Sequence, residues 1–425
     1  MESLDKDFCL QKVESAIALI DRLLTGDHPH EDSQVALIHL KQCYENDRSL
    51  LQTLDESASK DTILGYCLHV NVNLVRLKEY IGLLLRSTNI RNAFELYFPI
   101  RILARNLIGD DAAVVLGSEW SFSPYTYPLA VKELPKFIFI GIPASECQNP
   151  LILPLAGHEL GHVVWGRQGA GEEFENRVQP KIVQLYEANW EPFKSAFSGD
   201  WKEDWKVSAL ETNIFLQNIW AESFELAVRQ LEELFCDFIG IFLFGQSFLH
   251  SFRYLVAPSL GRIRNVEYPA VRKRAEYMAW YAEQIGIPVP TDFVQSFRED
   301  EPNLTKQVKF VVSMADAATA SLYPDLLPLV EKYRHNAIRF DTDATTDVNP
   351  EPFLRALVPP VKVGAIAAIV NAAWQIRLKV DDWDILKNIE DPEKRRREKL
   401  RVLRDLTLKS YEIYEYTKRV SDNAA

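Results

Sequence analysis

Two histidines four residues apart, in Pro154-Leu-Ala-Gly-His158-Glu159-Leu160-Gly161-His162-Val-Val-Trp-Gly166, have the type and spacing to do chemistry. This stretch reads as one helix, opened near Pro154 and closed by Gly166. Positions i and i+4 of a helix share one face a turn apart, so both imidazoles can reach a single tetrahedral zinc ion. Glu159 lies on the adjacent face, where a carboxylate can take a proton from water instead of ligating the metal. Gly157 and Gly161 leave room for another element to approach closely. Two glycines inside a helix cost roughly 1 kcal/mol each relative to alanine, so packing or function must compensate.

A third ligand is available in Leu231-Glu232-Glu233-Leu234-Phe235-Cys236-Asp237-Phe238-Ile239-Gly240. Glu233 and Asp237 repeat the i, i+4 spacing, and the residues after Glu233 are apolar around the whole helix. Such a helix is buried, and an isolated buried carboxylate is costly unless a cation or a hydrogen-bond donor meets it. Zinc at Glu233 supplies the cation, and Asp237 can accept the free ring N–H of His158 or His162 and fix that ring's tautomer. Glu232 is the register-shifted rival for the ligand position, and Glu187 is a second rival closer to His162. Cys236, in an apolar neighbourhood, reads as a core residue.

Together, His158-Glu-Leu-Gly-His162 and Glu233-Leu-Phe-Cys-Asp237 resemble the gluzincin branch of the zincin metallopeptidases. The resemblance implies His158, His162 and Glu233 as zinc ligands, Glu159 as general base and then acid, and Asp237 as a support for one histidine. It implies Zn2+ as cofactor and a peptide or protein as substrate. The run Phe137-Ile-Phe-Ile140 is similar to the family's edge strand, which pairs with an extended peptide. The 70 residues between His162 and Glu233 exceed the spacer of thermolysin-like enzymes and call for inserted helices.

Attack of water on a carbonyl also needs a donor for the developing oxyanion. Candidates are His250, Tyr254, Tyr268, Arg272, Arg274 and His335. The stretch from Gly245-Gln-Ser-Phe-Leu-His250 to Tyr268-Pro-Ala-Val-Arg272 is similar to uncharacterised bacterial proteins of zincin type, which puts Arg272 and His250 first.

The elements that must position these residues follow from periodicity. Residues 6–107 carry helical spacing, as in Val13, Ile17, Ile20 and Leu23, broken by Gly26-Asp-His-Pro-His-Glu-Asp-Ser, in which His28 and His30 read as a solvated loop pair. Between 110 and 150 the texture becomes β-like, with runs at 113–116, 120–122 and 136–140. Helices resume at 151 and run to about 284, where Gly286-Ile-Pro-Val-Pro290 and a charged stretch interrupt them. The expected fold is mainly α with a small β-sheet (α+β). Its expected parts are a helical N-terminal region over 1–109, a zincin-like metal-binding domain over 110–285, and a helical C-terminal region over 286–425.

Composition narrows the partners. The 425 residues are 47% hydrophobic and 25% charged, close to globular averages, and the net charge of −12 disfavours nucleic acid. The basic run Lys394-Arg-Arg-Arg-Glu-Lys399 follows Asp391-Pro392-Glu393, a helix-start signature, and reads as a solvated helix face. No apolar stretch is long enough to span a bilayer, and the first residues lack a signal-peptide pattern. Five scattered cysteines without a CxxC pair suit free thiols. A cytoplasmic protein with no membrane or nucleic-acid partner is expected, and the oligomeric state stays open. The leading expectation is a zinc-dependent hydrolase of metallopeptidase type. The alternative is a helical interaction protein whose zinc site is structural or vestigial.

Overall fold

The computed structural model describes residues 2–28, 30–54, 58–88, 94–119, 125–126, 134–197, 213–334, 349–360, 363 and 365–424. The fold is mainly helical with one small sheet, as the periodicity implies. The chain separates into two compact units, Met1–Arg105 with Gly109–Gln148, and Asn106–Ile108 with Asn149–Ala425. These borders differ from those read in the sequence: the sheet groups with the N-terminal helices, and no division falls near residue 286.

The first unit packs α1 (Glu2–Leu24), α2 (Glu31–Thr53) and α3 (Lys60–Thr88) together, followed by α4 (Phe94–Ile108) and the sheet. Val13, Ile17 and Ile20, spaced three and four apart, are buried in its core with Leu37, Leu40 and Phe139. Asp32 is buried at the start of α2, where it accepts hydrogen bonds from Tyr97 Oη at 2.7 Å and from the backbone N–H of Val114 at 2.9 Å. His30 is not solvated: it is only 8% exposed and stacks on Tyr97 with ring centroids 3.7 Å apart.

In the sheet, β1 (Ala113–Glu119) runs parallel to β3 (Phe137–Pro143), and β2 (Tyr125–Thr126) pairs antiparallel on the other side of β3. The run at 120–122 lies outside the described residues. β3 is therefore the central strand of the order β1-β3-β2 and is buried along its whole length. That corrects the reading of Phe137-Ile-Phe-Ile140 as an edge strand. A strand apolar at nearly every position belongs inside a sheet covered on both faces, whereas an edge free to receive a peptide alternates.

The second unit is built around one long helix, α8 (Ile214–Phe244), which follows α5 (Leu155–Arg167), α6 (Ala170–Ala188) and α7 (Trp190–Ala196). Leu231, Leu234, Phe235, Cys236, Phe238, Ile239 and Ile241 are all buried, so α8 is covered on every side from about Gln230 onward, while Ile214, Asn218, Glu222 and Glu225 in its first half are exposed. After it come α9 (Gln246–Val256), α10 (Val271–Gln284), α11 (Lys306–Leu322), α12 (Leu326–Arg334), α13 (Glu351–Arg355), α14 (Ile366–Leu378) and the long α15 (Pro392–Ala424). Asp391 caps α15 by accepting from the backbone N–H groups of Glu393 and Lys394. The basic run is part of its first turns, and Lys399 turns inward, where Nζ donates to the carbonyls of Val380 and Asp381. All five cysteines are free thiols. No described helix is long and apolar enough to cross a membrane.

Close approach of α5 to α8 depends on missing side chains. A Cβ on Gly161 would lie 2.7 Å from the Cα of Cys236, and one on Gly157 would lie 3.2 Å from the Cα of Gly240. Gly166, expected to close α5, lies within it, and the helix ends one residue later at Arg167. Alanine normally gains roughly 1 kcal/mol over glycine in a helix interior, but a clash with backbone cannot be relieved by rotating a side chain. Gly161→Ala is therefore expected to lower stability by about 1–3 kcal/mol. Gly65→Ala in α3, where a Cβ meets open space, is expected to raise it by about 1 kcal/mol. Denaturant unfolding of the two variants beside the parent checks both signs.

Candidate metal centre

α5 presents His158 and His162 one turn apart, with ring centroids at 4.8 Å and the ring planes nearly perpendicular. Their Nε2 atoms face each other at 3.2 Å. Opposite them stands Glu233 of α8, with Oε2 3.5 Å from His158 Nε2 and Oε1 3.6 Å from His162 Nε2. These three residues form the one group of potential metal ligands found among the described residues.

The outward nitrogens settle which face of each ring is free. His158 Nδ1 lies 2.9 Å from Asp237 Oδ1, and His162 Nδ1 lies 2.7 Å from Glu232 Oε1. A carboxylate only accepts, so each Nδ1 carries the proton and donates it. Both Nε2 atoms are then turned toward the same point, beside a carboxylate. Donors about 2.0–2.1 Å from a shared tetrahedral centre lie about 3.3 Å from one another, which is close to the spacing found here.

Two arginines complete the cluster. Arg274 of α10 donates through Nε to Asp237 Oδ2 at 2.6 Å and through Nη2 to Asp237 Oδ1 at 2.9 Å, and Nη2 also lies 3.2 Å from Glu233 Oε2. Arg229 of α8 donates through Nη1 to Glu232 Oε2 at 2.9 Å, and its Nη2 lies 3.1 Å from Glu233 Oε1. Each guanidinium also lies over the ring of Tyr268, at 5.8 and 5.9 Å.

Glu159, Glu232, Glu233 and Asp237 are all buried, and the two guanidiniums of Arg229 and Arg274 face Glu232, Glu233 and Asp237. Burial acts against the charged form of Glu233, but the adjacent His158 imidazole and the nearby Arg274 overcome it and hold the carboxyl well below the usual range. Asp237 is likewise pushed down against burial, by Arg274 and His158, and Glu232 by His162 and Arg229. At His158 burial opposes the imidazolium, yet Asp237 and Glu233 raise its pKa to about 10. A proton there takes part of the place that a cation would fill. Glu159 goes the other way: burial pushes its carboxyl up, with the two histidines opposing. That direction suits a group that must accept a proton and give it back.

Of the residues singled out in the sequence, the structure brings together His158, Glu159, His162, Glu233 and Asp237. Glu187 is on α6 and outside the cluster, and Cys236 faces Gly161 in the helix contact. Arg272 is turned outward, 62% exposed and paired loosely with Glu276, because two residues of helix rotate a side chain by about 200° relative to Arg274. His250 is buried against Trp374, with ring centroids at 5.4 Å, and its Nε2 has no hydrogen-bond partner among the described residues. Its contacts are with that core, so it does not serve as a donor in the cluster. Tyr254 lies beside Trp374 and Arg377. His335 falls outside the described residues. Arg229 and, in the role of support rather than rival ligand, Glu232 are members of the cluster that the sequence reading does not name. Both could have been found from the same helical spacing, since Arg229 stands three residues before Glu232 and four before Glu233.

No protein family, curated protein or solved structure compared with the chain matches it.

Burial lowers the pKa of His250 to about 4, with Arg253 adding to the effect. A folded value below the ordinary 6.5 means that this histidine's stabilisation is complete above pH 6.5 and is lost as pH falls toward 4. The loss can reach about 3 kcal/mol. His250→Phe, which keeps an aromatic ring on Trp374, is expected to lose less stability between those pH values than the parent. Urea unfolding at several pH values measures the difference, and parallel curves would contradict it.

Proposed function

We propose that the chain is a zinc-dependent hydrolase of the metallopeptidase type. The observation that carries this reading is the convergence of His158 Nε2, His162 Nε2 and the Glu233 carboxylate, each imidazole proton being held on the far side by an acid. His158, His162 and Glu233 would hold the ion. When bound, zinc supplies Lewis-acid activation of a carbonyl and of water at neutral pH.

The chain's own residues do the rest. Glu159 accepts a proton from the attacking water on its carboxylate and returns it to the leaving nitrogen. Glu159 is buried beside the two histidines, where desolvation pushes its carboxyl up. Asp237 and Glu232 hold the imidazoles as Nδ1–H tautomers, and the arginines neutralise the acids behind them. Arg229, with 37% of its side chain exposed, marks the most open side of the cluster, while the ligands themselves are recessed. A recessed site suits an extended or short peptide better than a folded protein.

Burial of all three ligands also fits a structural zinc in a helical interaction protein. Glu159 separates the two readings, because a structural ion has no use for a buried carboxylate beside its ligands. Protein purified without chelator is expected to contain about one zinc per chain. Glu159→Gln is expected to keep the metal and to lose about 100- to 10,000-fold in peptide-library cleavage. His158→Ala should lose both. Zinc-free protein would end the proposal. Zinc-loaded protein that cleaves no library, and unfolds when the metal is stripped, would favour the structural reading.

A further inference from the structure

We infer that Glu232 is the positioning residue for His162 and that Arg229 acts through it, making a second support arm independent of Asp237 and Arg274. The inference rests on the zinc reading above. One arm runs from His158 Nδ1 to Asp237 to Arg274, the other from His162 Nδ1 to Glu232 to Arg229, and both arginines close back on Glu233 from opposite oxygens.

The geometry of the second arm is set by one helix. Arg229, Glu232 and Glu233 are at i, i+3 and i+4, so a single guanidinium spans two neighbouring carboxylates. Glu232 thereby has both oxygens committed: Oε1 takes the His162 proton at 2.7 Å and Oε2 takes Arg229 Nη1 at 2.9 Å. With Oε2 fixed by Arg229, the carboxylate plane is held, and it in turn holds the His162 ring with its lone pair toward Glu233. Because Glu232 is spent on the ring, it is not free to ligate, and this is why the ion falls to Glu233 although the two acids are adjacent. The arms differ in setting. Asp237 is wholly buried, whereas Arg229 is the most exposed member of the network.

The test compares zinc affinity, by competition with a chromophoric chelator, and the visible absorption of the cobalt-substituted full-length chain. Glu232→Ala is expected to weaken zinc about 10- to 100-fold and to alter the cobalt bands. Glu232→Gln should recover most of the affinity, since its amide oxygen can accept the same Nδ1–H. Arg229→Ala should weaken zinc by a smaller factor than Glu232→Ala. Thermal unfolding of the metal-free proteins reports whether each variant folds. If Glu232→Ala does not fold, Glu232→Gln and Arg229→Ala carry the test. Wild-type affinity and cobalt bands in both Glu232→Ala and Arg229→Ala would overturn the inference while leaving the zinc reading intact. Glu232→Gln as weak as Glu232→Ala would also overturn it, because charge and not ring positioning would then be the cause. A wild-type chain that takes up no zinc would remove both readings together.

Discussion

Three buried carboxylates on the apolar half of α8 set the terms for the rest of the second unit. Glu232, Glu233 and Asp237 lie on α8, surrounded by buried Leu, Phe and Ile side chains, and each ionised acid in such a place costs several kcal/mol unless it is met by charge or by hydrogen bonds. Every one of them is met. Two arginines and two imidazoles contribute short, directed donors, and removing one partner of such a buried set typically costs about 3–5 kcal/mol. Fully satisfied networks of this kind define one arrangement of the helices that carry them. Here those helices are α5, α8 and α10, and the arrangement they share is the cluster.

The backbone packing answers the same requirement. Imidazoles on α5 can reach acids on α8 only if the two helices approach closely, and Gly157 and Gly161 permit that approach against Gly240 and Cys236. Their helix-propensity cost is returned as contact between backbones. Arg274 arrives from α10, whose Tyr281 stacks on Phe238 of α8 with centroids at 4.3 Å, so an aromatic contact fixes the helix that delivers the cation. Packing, charge balance and the tautomers of the two histidines thus form one set of constraints.

Much of this cluster was legible because its geometry is local. Pairs at i and i+4 on a helix must share a face, which placed His158 with His162 and Glu233 with Asp237, and an apolar surround forced the acids to seek partners. The same rule covers Arg229 and Glu232, three residues apart on α8, but spacing alone does not separate an acid that ligates from one that supports a ring. Arg274 was different. Its choice over Arg272 depends on where α10 begins and how it docks on α8, and neither is written in local spacing. The central place of β3 was hidden for a similar reason, since its parallel pairing with β1 is made between residues more than twenty positions apart. The burial of His30 depends on Tyr97, a whole helix and more away in sequence.

X-ray absorption at the zinc edge, on protein purified without chelator, addresses the metal and its ligands together. The account predicts one zinc per chain with only nitrogen and oxygen neighbours at about 2.0–2.2 Å, including the signature of two imidazoles. A sulfur neighbour at about 2.3 Å, which would bring in a cysteine such as Cys236, or no zinc at all, would contradict it.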